Sequence, residues 1–145
     1  MTEYNPNSSY VEAMSAILIE FFVPPAGEDD LLDACIGQLI ETYLFDGLQE
    51  EEAARIVNSQ ITLHRSGLSR DDRSHWLRAN VNILPCELRE RTFAMLAHRL
   101  YHASDGKLDS DANDTLDRAA ELLCLTRLQA EKIIQVCKIL NCPIA

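Results

Sequence analysis

Residues 101–117 read YHASDGKLDSDANDTLD, a stretch rich in potential metal-binding oxygens. Asp105-Gly106 makes a turn, and Asp109, Asp111, Asp114 and Asp117 follow it. A similar corner occurs earlier, where Tyr43-Leu44-Phe45-Asp46-Gly47-Leu48 runs into Gln49-Glu50-Glu51-Glu52. If the two corners sit side by side, Asp46, Glu50, Glu51 and Glu52 face Asp105, Asp109 and Asp111. Such converging carboxylates repel one another unless a hard cation or the Arg-rich middle of the chain neutralises them. The candidate ligand set is therefore these seven residues. The candidate ion is a divalent cation: calcium, magnesium, zinc or manganese. The same pattern has an explanation without any ligand. Glycine admits the turn, the following leucine packs inward, and acids in the first turn of the next helix satisfy its N–H groups and dipole.

A calcium-binding EF-hand is excluded. Its loop needs glycine at the sixth position and a bidentate glutamate at the twelfth. With Gly106 in the sixth place, Tyr101, Ala103 and Ala112 fall on ligand positions. With Gly47 there, Thr42, Leu44 and Ala53 do so.

Other chemistry is sparse. His98 and His102 lie one helical turn apart and could share a metal, but no third ligand follows them. His64 and His75 are isolated. There is no Gly-rich phosphate loop and no nucleophile motif, so no catalytic residue and no enzymatic activity is expected. Cys35, Cys86, Cys124, Cys137 and Cys142 form no CxxC pair and fall in apolar helical patterns. They read as reduced core residues of a cytoplasmic protein.

The elements that would position these groups are helical. Tyr10, Met14, Ile17, Leu18 and Phe21 mark an amphipathic helix capped by Ser8 or Ser9 and ended by Pro24-Pro25. A second helix is predicted over Glu28–Phe45, and a third over Gln49–Leu63 with Ala53, Ile56, Val57 and Ile61 inward. Ser69-Arg70-Asp71-Asp72 reads as a capping box with Asp in place of Glu, and it opens a short helix carrying Trp76, Leu77 and Val81. Pro85 opens the next, which continues through Leu88, Thr92, Met95, Leu96, Arg99 and Leu100 to Ser104. Leu116, Ala119, Ala120 and Leu123 carry another. Thr126-Arg127-Leu128-Gln129 is a second capping box, opening a last helix with Leu128, Ile133, Ile134, Val136, Cys137 and Leu140. No segment alternates as strands require. The expectation is an all-α, single-domain bundle of about seven helices over residues 9–145, after a flexible start at 1–8. Within it, two helix–Asp-Gly–helix hairpins form a pseudo-repeat.

Charge narrows the partners. The 145 residues carry a net charge of −10. Residues 1–54 hold twelve acids and no Lys or Arg; residues 55–100 hold eight Arg against four acids. An acidic chain repels nucleic acid and anionic membranes, so no nucleic-acid partner is expected. The opposed patches either pack together within the chain, or join protomers or recruit a basic partner. The longest apolar run, Ala16–Val23, is too short to span a bilayer and is interrupted by Glu20. Protein partners, including a second copy in a homodimer, remain the natural class.

Residues 84–134 resemble the TerB-like family of tellurite-resistance proteins and their relatives. The family pattern is a helix ending in Ala-Asp-Gly, an apolar residue, an acidic stretch, and a helix closing in Leu-Gly-Leu-Ser. Here these are Ala103-Ser104-Asp105-Gly106, Leu108, Asp109–Asp111 and Leu123-Cys124-Leu125-Thr126. Counting the first Asp-Gly corner, the resemblance covers 28–140. It implies an all-helical bundle of paired hairpins, acidic residues for which divalent-metal binding has been proposed, and a non-enzymatic role in stress-response assemblies. The chain departs from the pattern at Ser104, at Ala112 and Asn113 where the family carries Glu, and at Cys124 in place of Gly.

Overall fold

A computed structural model describes residues 6–22, 37, 48–66, 68–104 and 106–142. Their regular structure is all helical, with no strand among the described residues. Six helices are defined: α1 (Pro6–Phe22), α2 (Glu50–His64), α3 (Arg70–Ile83), α4 (Cys86–Ala103), α5 (Ser110–Leu122) and α6 (Arg127–Leu140). The helix expected over 28–45 lies outside the described residues except for Gly37, whose backbone is helical. Asp46-Gly47 of the first corner also lies outside them. The chain divides into two compact units, Met1–Leu84 and Pro85–Ala145.

In the first unit α1 packs on α2 and α3. It starts at Pro6, ahead of the expected cap at Ser8 or Ser9. Proline suits the first helical position because its missing N–H has no intrahelical partner to lose. Every residue from Ala13 to Ile19 is buried, so α1 is enclosed on all sides rather than along a single stripe. Ile56 and Val57 of α2 and Leu77 and Val81 of α3 complete this core, while Ala53 and Ile61 are only half-buried. Ser69 caps α3, its Oγ accepting from the Asp72 N–H at 3.1 Å.

In the second unit α4 packs on α5 and α6. Its buried face is Thr92, Phe93, Leu96, Ala97 and Tyr101. Leu116 and Ala119 face inward from α5, and Ala130 and Cys137 from α6. Thr92 is a polar core residue that satisfies itself locally, its Oγ1 donating to the Leu88 carbonyl at 2.7 Å.

The turn after α5 places a cysteine where the backbone suits glycine. Cys124 has a φ of 57°, in the left-handed region that suits glycine. The Leu125 N–H reaches back to the Ala120 carbonyl at 3.0 Å, and the Cys124 N–H to the Glu121 carbonyl at 3.1 Å. This is a Schellman ending, whose left-handed position glycine normally fills. Cys124→Gly is therefore expected to stabilise the fold by about 0.5–1 kcal/mol, the relief of side-chain strain less glycine's extra unfolded-state entropy. A denaturant midpoint that falls would contradict this reading of the turn.

Candidate functional site

The candidate ligands divide between the units. Glu50, Glu51 and Glu52 form the first turn of α2 in one; Asp109 and Asp111 flank the start of α5 in the other. Asp46 and Asp105 lie outside the described residues. Among the described residues no group of three or more His, Cys, Asp or Glu side chains is placed to hold a metal ion.

Most of the described acids have local partners or local work. Asp109 is the N-cap of α5, its Oδ1 accepting from the Ala112 N–H at 2.8 Å. Asp111 lies in the first turn beyond, where a carboxylate faces the positive end of the helix. Glu52 takes both Nε (3.2 Å) and Nη2 (2.6 Å) of Arg55. Arg55 Nη2 also reaches Glu12 Oε1 of α1 at 3.0 Å. Glu52, followed by Glu12, pushes the Arg55 pKa further up. Glu50 and Glu51 remain exposed at the helix start.

Sequence reasoning missed a second charge cluster. His64 is only 4% exposed, and its Nδ1 lies 3.3 Å from Glu20 Oε2. Arg73 Nη1 approaches the same oxygen at 3.4 Å, and Arg73 Nη2 donates to the His64 carbonyl at 2.7 Å. One carboxylate on α1 is thereby set against the last residue of α2 and the first turns of α3. The ring is sealed from solvent among three helices. Arg55 and Arg73 thus both meet acids from the first 54 residues, as the packing reading of the charge asymmetry expects.

His98 and His102 stack on the exposed side of α4, with ring centroids 5.9 Å apart. The tautomer of His98 follows from Asn141. Asn141 Nδ2 donates to the Cys137 carbonyl at 2.8 Å and lies 3.2 Å from His98 Nδ1. An amide nitrogen only donates, so His98 Nδ1 accepts and the ring proton sits on Nε2. A metal ion shared with His102 would have to break the Asn141 contact or displace that proton.

The thiols are less uniformly interior than expected. Cys137 is buried, its Sγ lying 3.9 Å from the Ala94 carbonyl, and burial pushes its pKa up. Cys86, Cys124 and Cys142 are exposed, and Cys35 lies outside the described residues. Gln129, the acid-like member of the α6 capping box, does two jobs. Its Oε1 accepts from the Thr126 N–H at 2.8 Å while its Nε2 donates to Glu90 Oε1 of α4 at 2.9 Å.

The feature that sequence reading did not isolate is the outer side of α6. Of the apolar residues expected to carry this helix, only Cys137 is buried. Leu128, Val136, Ile139 and Leu140 are 61%, 56%, 73% and 69% exposed. At helical spacing these four fall on one side, with Lys132 among them. The available signal was that apolar residues occupy more of the α6 circumference than one buried stripe can use.

Comparison with protein-family models, with curated proteins and with solved structures finds no match. No helix among the described residues is long and apolar enough to cross a membrane.

The His98 geometry sets a pH dependence. Partial desolvation of this otherwise exposed ring, then the charge of His102 and that of Arg99, lowers its pKa below the ordinary 6.5. The folded state therefore resists protonation more than the unfolded chain does. The stability this represents is fully present above the ordinary imidazole value and is lost as pH falls through it towards the lowered folded value. Thermal melts from neutral pH to about pH 5 should show a falling midpoint, and His98→Gln should flatten that fall. An identical slope in the variant would contradict the assignment.

Proposed function

We propose that this protein is a non-enzymatic helical interaction module, working through apolar contact along α6 and not through a bound metal. The observation that carries this reading is the row of Leu128, Val136, Ile139 and Leu140 left open to solvent. Single exposed apolar residues are ordinary, but four on one helical side form a surface that water solvates poorly and a protein partner can cover. The capping bond of Asp109 and the pairing of Glu52 with Arg55 support it from the other direction, since both acids already stabilise local structure. The resemblance to TerB-like proteins supports a stress-response assembly as the setting. A seventh helix over 28–45 and a duplicated Asp-Gly hairpin belong to the same reading.

A photocrosslinking residue at position 136 tests it. Irradiation in cell extract should give discrete protein adducts that disappear when Ile139→Lys is added. The absence of any adduct would contradict an interaction role for this face.

A further inference from the structure

The exposed side of α6 has a pattern that fits its own copy, and we infer that two chains pair antiparallel along this helix. This inference rests on the proposed interaction role and names the partner. Leu128, Lys132, Gln135 and Ile139 are spaced by four, three and four residues, which keeps them on one seam of a helix pair. In an antiparallel pair, Ile139 meets the partner's Leu128 at each end, and Lys132 meets the partner's Gln135 between them. Val136 and Leu140 widen the apolar contact along one flank. Glu131 and Lys138 occupy the other flank, each one position before a seam residue. A two-fold axis across antiparallel helices brings like flanks together, so Glu131 comes beside the partner's Lys138, and the reverse contact repeats it.

Two observations favour this occupant. The residues that pack α6 within its own unit, Ala130 and Cys137, lie on the opposite side, so pairing would not disturb the unit. The flank charges are also self-complementary. Glu131 contacts Arg127 within the helix at 3.0 Å, but Arg127 is 93% exposed, and such surface pairs are weak enough to exchange. The seam is short and polar at its centre, so the pairing is concentration-dependent and not obligate.

Sedimentation equilibrium of the full chain, from micromolar to near-millimolar concentration, measures the association directly. The average mass should rise from the 16.3 kDa monomer towards twice that value. Ile139→Lys should weaken pairing roughly tenfold or more, because it removes an apolar anchor from both ends of the seam. Glu131→Lys or Lys138→Glu alone should weaken it several-fold, and the two together should restore it. All three positions are exposed, and circular dichroism will show that the variants remain folded. A mass of one chain at every concentration overturns the inference, as does a dimer indifferent to these variants. If the chain stays monomeric while position 136 still crosslinks to other proteins, self-pairing fails and the interaction role stands. If neither occurs, both fail.

Discussion

An α-helix begins with N–H groups that have no partner inside the helix, and much of this chain's polar chemistry answers that constraint. Ser69, Asp109 and Thr126 each accept from a backbone N–H at the start of a helix. Glu50–Glu52, Asp71–Asp72 and Asp111 add negative charge where the helix dipole is positive. Acidic clusters appear because the helices are short and their starts are many. A sequence rich in such starts resembles a metal-binding sequence, since both need carboxylates close together. Asp109 Oδ1 accepts from the Ala112 N–H at 2.8 Å, so this carboxylate caps its own helix.

The same economy appears at the charges between helices. Glu20 on α1 is set against His64 and Arg73, and Glu12 against Arg55. Acids of the first 54 residues thereby meet cations of the next segment inside one unit. In the second unit Gln129 serves the α6 cap and Glu90 of α4 together, and Asn141 ties the end of α6 to His98.

What the sequence disclosed follows from the range of each interaction. Caps act over three residues, so Ser69 with Asp72 and Thr126 with Gln129 were readable as motifs. The all-helical class was readable from spacing. The burial of His64 was not, because its carboxylate neighbour is 44 positions earlier in the chain, at Glu20. The encirclement of α1 was hidden for a similar reason: Ala13, Ser15 and Ala16 are small enough to read as a neutral face until helices close over them. On α6 the apolar residues fall on both sides, and only tertiary packing decides that Ala130 and Cys137 go inward and Leu128 and Ile139 outward. The thiols of Cys86 and Cys142 were misplaced for want of the same information.

The central claim is that the acids at the helix starts serve the helices. Calorimetric titration of calcium, magnesium, zinc and manganese into chelator-stripped protein tests it most directly, alongside the melting temperature. The expected result is no saturable heat and no rise in melting temperature for any of the four. Saturable binding accompanied by stabilisation would contradict the account, because an ion held only by the folded state must raise its stability.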